Sequence, residues 1–176
     1  MSPTPLLLHR ADLDRLISAL ADRGYEVLGP TVREQERIIS YGELSSTDDL
    51  PIGIGDEQEA GTYRLVDRGD DKLFGYVLTD SSPISFLLPA EATVWAGKMN
   101  GNGFETVDRP EPPSYAFIGV RPCELAAVSI QDTVFMGDGA TCPTYRGRRD
   151  RAFIVAVECT EPGGTCFCAS MGTGPA

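Results

Sequence analysis

Two short, almost wholly apolar runs constrain this chain more than anything else in it: Tyr115-Ala116-Phe117-Ile118-Gly119-Val120 and Phe153-Ile154-Val155-Ala156-Val157. Runs of that length and composition read as strands buried on both faces. Between them Arg121-Pro122-Cys123-Glu124 opens a helix. Pro122 suits its first position, where the missing N–H would have had no partner anyway. The helical pattern runs to about Phe135, with Leu125, Ala126, Val128 and Ile130 on its apolar side. Strand, helix, strand in that order favours a parallel pair joined by a crossover. The sequence therefore predicts an α/β (mixed α+β) fold: a single domain spanning 1–176 with a mixed sheet, a parallel strand–helix–strand unit in its C-terminal half, and a Cys-rich C-terminal loop.

The N-terminal half is patterned less sharply. Leu13, Leu16, Ile17 and Leu20 recur at helical spacing between Asp12, a capping residue, and Gly24, a stop. Tyr25 to Leu28 reads as a short strand closed by Gly29-Pro30, and Arg37 to Tyr41 as another. Residues 42–60 read as a long acidic loop. Thr62 to Val66 and Leu73 to Leu78 resemble two strands of a hairpin around Asp67-Arg68-Gly69-Asp70-Asp71. Pro83 to Trp95 holds a short helix, and Lys98 to Gly103 is a Gly/Asn-rich turn. The stiff connector Pro110 to Pro113 places a sub-domain boundary near 110.

With 176 residues, 41% of them hydrophobic and 23% charged, the chain can bury an ordinary core without disulfides. The opening MSPTPLLLHR has neither the apolar length nor the preceding positive charge of a signal peptide. The longest apolar run elsewhere, Ala152 to Val157, is far too short for a membrane span. A cytoplasmic location is expected, where thiols stay reduced and clustered cysteines point to metal or redox work rather than to disulfides. A net charge of −11 argues against nucleic acid as a partner. The exception is Arg146-Gly147-Arg148-Arg149-Asp150-Arg151, which reads as a solvated basic turn or as a docking patch for an acidic partner or a nucleotide phosphate. The single histidine, His9, lies at the start of the chain, which argues against a Ser-His-Asp or Cys-His pair. Gly53-Ile54-Gly55 is followed by Gln58 where a dinucleotide fingerprint needs glycine.

That leaves the thiols. Parallel strands end at the same rim of a sheet, the edge where open α/β sheets place their ligands. Cys123 follows the first strand and Cys159 the second. Cys166 and Cys168 follow on a Gly-rich loop able to fold back over that rim. Four converging thiolates suit an iron–sulfur cluster or a tetrahedral zinc. The C-x₂-C knuckles usual in zinc sites are absent, while a C-x-C pair can reach two corners of a cubane. Pro162-Gly163-Gly164 frees backbone N–H groups to turn toward sulfides, and Phe167 and Met171 are placed to shield the site. Cys142 has no close partner in sequence and stays outside the set. Buried or idle cysteines are the plain alternative.

These residues carry a resemblance. Phe117-Ile118-Gly119-Val120-Arg121-Pro122-Cys123-Glu124-Leu125-Ala126-Ala127, then Phe153 to Cys159, then Gly164-Thr165-Cys166-Phe167-Cys168-Ala169-Ser170-Met171-Gly172-Thr173-Gly174-Pro175, are similar to the N-terminal region of hydrogenase and sulfhydrogenase beta subunits and of the corresponding component of anaerobic sulfite reductase. Tyr41-Gly42-Glu43-Leu44 and Gly61-Thr62-Tyr63-Arg64-Leu65 fit as well, so the resemblance spans nearly the whole chain. In that family a ferredoxin-like module follows; no C-x₂-C-x₂-C-x₃-C run is present here. The resemblance implies an electron-transfer component, not catalytic alone, with Cys123, Cys159, Cys166 and Cys168 holding one [4Fe–4S] cluster. Electrons would pass between two partners: a flavin- and NAD(P)-binding subunit, and a nickel–iron hydrogenase or a sulfite- or sulfur-reducing component. A zinc-bound domain that docks partner subunits and a thiol-based enzyme or redox sensor are the other readings of the same cysteines.

Overall fold

The computed structural model describes residues 8–33, 35, 37–78, 80–101, 103–107, 111–137, 139 and 141–174. After a 3-10 turn at Arg10–Asp12 come α1 (Leu13–Ala21), β1 (Glu26–Arg33), β2 (Ile38–Glu43), β3 (Ile54–Glu59) and β4 (Thr62–Asp67). Then follow α2 (Pro83–Leu87), β5 (Gly97–Asn100), β6 (Gly103–Thr106), β7 (Tyr115–Val120), α3 (Pro122–Met136), α4 (Pro143–Arg149) and β8 (Phe153–Ala156). Four strands form the main sheet in the order β2-β1-β7-β8, antiparallel between β2 and β1 and parallel from β1 through β7 to β8. The fold is α/β with a mixed sheet, and its C-terminal half is the parallel strand–helix–strand unit read from the two apolar runs. Among the described residues no helix is long and apolar enough to cross a membrane.

Strand β7 is the middle of the core. Ala116 and Ile118 face the side covered by α1, where they join Ile17, Leu20, Val27, Leu44 and Leu50. Phe117 faces the other side and joins Leu28, Tyr41, Leu87, Val128 and Tyr145, from the sheet and from α2, α3 and α4. Strict alternation would send Val120 to the α1 side with Ile118. The register with β8 instead shifts between Ile118 and Val120, and Val120 packs with Phe117. Gly119 makes this bulge, at φ +83 and with no room for a Cβ, which would lie 2.8 Å from the Phe74 ring.

Several expectations need correction. Strand β1 does not close at Gly29-Pro30 but runs on to Arg33. It leaves β7 after Leu28 and continues against β2, so Pro30 lacks an N–H where no second ladder demands one. Asp12 stands at the α1 N-cap position without capping; its carboxylate accepts from Arg15 at 3.1 Å. Residues 42–60 are not one loop: they contain a 3-10 turn at Thr47–Asp49 and the strand β3. The hairpin pairs β4 with β3 across Ala60-Gly61, not with 73–78. Gly61, at φ +74, permits that two-residue turn. Residues 73–78 form no strand and are held by side chains: Arg68 donates to the Gly75 carbonyl and Asp56 accepts from the Val77 N–H. The Gly/Asn-rich turn 98–103 is the tip of a further hairpin, with Met99 opposite Phe104. The boundary expected near 110 falls at 108–110, outside the described residues.

Helix α4 is absent from the sequence reading, and it uses the basic stretch. Arg149 pairs with Asp132 of α3 at 3.1 Å, Arg146 with Asp150, and Arg151 with Glu111 at 3.0 Å, while Arg148 donates to the Phe86 carbonyl. Tyr145, fully buried, donates to Asp132 at 2.8 Å. The stretch is therefore the end of a helix, with Arg148 and Arg149 tied to the chain's own groups while Arg146 and Arg151 remain exposed.

Because Phe117 sits at the crossing of four aromatic rings, with Tyr41, Phe86 and Tyr115 all within 6.1 Å between centroids, Phe117→Ala is expected to lower unfolding stability by about 3–5 kcal/mol. Phe153→Ala, at a partly exposed strand start, should cost well under half of that; urea unfolding of the two variants checks the ranking.

Candidate functional site

The parallel pairing of β7 and β8 brings both strand ends to one edge. The Val157 N–H donates to the Val120 carbonyl at 2.8 Å, carrying the pairing past the end of β8. Immediately beyond, Arg121 leads into α3 with Cys123 in its first turn, and Cys159 follows β8. The returning loop then places Cys166 and Cys168 over the same edge.

That loop is pinned against the β3–β4 hairpin by polar contacts. The Glu161 carboxylate accepts from Arg68 and from Lys72. Arg68 also reaches Asp70 at 3.0 Å and the Gly75 carbonyl at 3.3 Å. The Thr165 hydroxyl donates to Gln58 Oε1 at 2.7 Å. Gly163 and Gly164 run so close over β3 that a Cβ on Gly164 would collide with the Gln58 carbonyl, and one on Gly163 would lie 2.8 Å from Gln58 Oε1. Close approach to a neighbouring strand is thus the visible reason for this glycine pair, where the sequence reading gave them N–H donation to sulfide. Past Cys166 the chain turns tightly, with Met171 and Thr173 N–H groups donating to the Cys168 carbonyl at 3.1 and 3.0 Å.

Together these elements enclose a cavity of about 720 Å³. Cys123, Cys159, Cys166 and Cys168 all line it. Ala126, Ala127 and Ile130 of α3 form one wall, and Gln58, Tyr63 and Val77 are in the other. Phe167 and Met171 lie at its mouth and are mostly exposed. Cys142 stands apart: it precedes α4 and packs on the Phe117 side of the core. The Cys123 thiol is held above its ordinary pKa, first by partial burial and then by the negative charge of Glu124 and of Cys168, which puts Cys123 and Cys168 within electrostatic reach of each other.

Arg121 is the residue that sequence reasoning passed over. It is only 5% exposed and lines the cavity, with its guanidinium 5.5 Å above the Tyr76 ring. Among the described residues its side chain makes no ion pair. Around it lie the Tyr41, Tyr63 and Tyr76 hydroxyls and the Asp56 and Glu124 carboxylates; among the described residues the Tyr76 hydroxyl has no hydrogen-bond partner, whereas Tyr41 meets Glu124 and Tyr63 meets the Ile39 backbone. The Arg121 charge acts on all five groups. Burial pushes the Glu124 carboxyl up to about 7, although its Oε2 accepts from the Arg121 N–H at 2.9 Å. The only signal in the sequence was an arginine directly before the helix-opening proline.

Among the described residues no three His, Cys, Asp or Glu side chains stand close enough together to hold one metal ion. Four thiols are nonetheless spread over the walls of the cavity, which Arg121, Glu59, Gln58 and Thr165 also line. That chemistry fits a thiolate-bound polynuclear group, which is negatively charged and larger than a single ion.

Comparison with protein-family models, with curated proteins and with solved structures finds no match to this chain.

The contacts of Glu161 predict a pH-sensitive anchor for the loop. Hydrogen bonds from Lys72 and Arg68 hold its carboxyl below the ordinary carboxylate value. A depressed acid stabilises the pinned loop at neutral pH, and the contribution is lost as pH falls through the lowered value. Glu161→Gln should speed protease cleavage within 157–174 at neutral pH. The wild-type rate should approach that of the variant only in acid, below the ordinary carboxylate range, and the global unfolding midpoint should change little.

Proposed function

We propose that this chain is an electron-transfer component that carries one [4Fe–4S] cluster on Cys123, Cys159, Cys166 and Cys168 and works inside a larger oxidoreductase of the hydrogenase type. The observation that carries this reading is the selection among thiols: of five free cysteines, the four in the quoted motifs line one cavity and the fifth does not. The bound cluster would supply one-electron transfer. The chain's own residues supply the rest. Four thiolates hold the irons. Ala126, Ala127 and Val77 give the cavity an apolar lining, and the exposed Ile130, Phe167 and Met171 leave one side open to a partner. The donor and acceptor are proposed from the motif resemblance: a flavin- and NAD(P)-binding subunit on one side, and a nickel–iron hydrogenase or a sulfite- or sulfur-reducing subunit on the other. The chain needs no bond-making machinery of its own for this.

The test is anaerobic purification with metal analysis. The wild-type chain is expected to be brown and to hold about four irons, as the cluster formula requires. Serine at Cys123, Cys159, Cys166 or Cys168 should lower iron content or shift the spectrum, because a hard oxygen replaces a soft sulfur. Cys142→Ser should leave both unchanged. A colourless chain with stoichiometric zinc, or a metal-free chain with a reactive thiol, overturns the reading.

A further inference from the structure

Arg121 is the least explained charge in the fold. A guanidinium has five N–H donors and is always ionised. Burying one is costly unless an anion or acceptors meet it. Here the side chain is almost completely buried, yet among the described residues it reaches no carboxylate within ion-pair distance and no hydrogen-bond acceptor; its contact is the face of Tyr76. Asp56 and Glu124 come near enough to feel its charge, yet among the described residues neither is within ion-pair distance of it. The same guanidinium lines the cavity that holds the four thiols. The ion pairs of Glu161 with Arg68 and Lys72 involve no atom of Arg121, and none of these three residues lines the cavity.

We infer that Arg121 is the built-in countercharge for the anionic group in the cysteine-lined cavity, and that it sets the reduction potential of that group. The inference rests on the cluster reading and adds to it a residue that ligates nothing. Four thiolates around an iron–sulfur cluster make a net anion, and reduction by an external one-electron donor adds one further negative charge. A fixed positive charge in a site of low dielectric favours the more negative state, so Arg121 raises the potential. Because the charge is buried, added salt screens it little. Tyr41, Tyr63 and Tyr76 keep their phenols protonated at neutral pH, since burial raises all three, so they do not cancel the cation.

The experiment is an EPR-monitored redox titration of the anaerobically purified full chain as wild type, Arg121→Gln, Arg121→Lys and Arg64→Gln, with iron per chain measured on each sample. Arg64 is an exposed arginine of β4, paired with Glu57 and outside the cavity lining. Arg121→Gln is expected to retain iron and to lower the reduced-to-oxidised ratio at fixed ambient potential about tenfold, a shift of about 59 mV for a one-electron couple. Arg121→Lys should keep most of the wild-type ratio, and Arg64→Gln nearly all of it. Iron-loaded Arg121→Gln with the wild-type potential overturns the inference while leaving the cluster reading intact. An equal shift in Arg64→Gln also overturns it, because overall charge would then be responsible. Should Arg121→Gln fail to hold iron, Arg121→Lys decides: iron and potential restored by the lysine support a countercharge, and iron still lost overturns it. A wild-type chain without iron overturns the cluster reading, and this inference with it.

Discussion

The hydrogen bond from Val157 to Val120 closes the last rung between two parallel strands, and the geometry of the site depends on that pairing. Parallel strands deliver their following segments to one edge; an antiparallel pair would send Cys123 and Cys159 to opposite ends of the sheet. The edge is stiff because β7 is buried from Ala116 to Val120 and paired on both sides. The bulge at Gly119 adds something that a regular strand could not. It moves Val120 into the Phe117 layer. Arg121 then follows below the surface and α3 begins with Cys123 at the rim.

The second wall is made differently. Residues 157–174 bury few large apolar side chains, and the entropy of ordering such a segment is considerable. What opposes it is a set of polar contacts to the β3–β4 hairpin, each modest by itself because the groups are partly solvated. A loop held in this way is ordered only as long as its contacts act together. It is also the kind of segment whose order is readily coupled to a bound metal group, since ligation by three of its cysteines would add what side-chain packing does not.

The parts of the fold legible in the sequence were those decided by local burial. Tyr115–Val120 is apolar because both its faces are covered; Phe153–Ala156, at the edge of the sheet, is apolar too but only half-buried, with Phe153 and Ala156 exposed, and Pro122 marks a helix start through covalent geometry alone. The misread parts depend on tertiary partners. Ile54–Glu59 is rich in acids, so it reads as loop; it is a strand because its partner is two residues away across Ala60-Gly61. Pro30 reads as a stop because proline forfeits a ladder bond, a loss that vanishes where β1 has left β7. Helix α4 is short and contains Gly147, and its arginines read as surface until Asp132 meets Arg149 and the Phe86 carbonyl meets Arg148. At the site, the four cysteines were legible from spacing. Arg121 was not, because nothing in a sequence reveals that a cation will be buried against a tyrosine ring at the cavity.

That burial bears on what the cavity is for. Most buried polar groups in a folded chain find hydrogen bonds, and exceptions gather where a fold keeps a group poised rather than satisfied. Here three phenols, two carboxylates and the Arg121 guanidinium crowd one region next to four thiols, and among the described residues the Tyr76 hydroxyl has no hydrogen-bond partner. Elsewhere the same chain meets its charges economically, with Arg149 on Asp132 and Glu161 between Arg68 and Lys72. A protein with a net charge of −11 has no shortage of carboxylates to place against one more arginine. That Arg121 has no ion-pair partner among the described residues is therefore intelligible if the anion that it meets is not part of the polypeptide. A cluster on the four cysteines, as proposed above, would be such an anion.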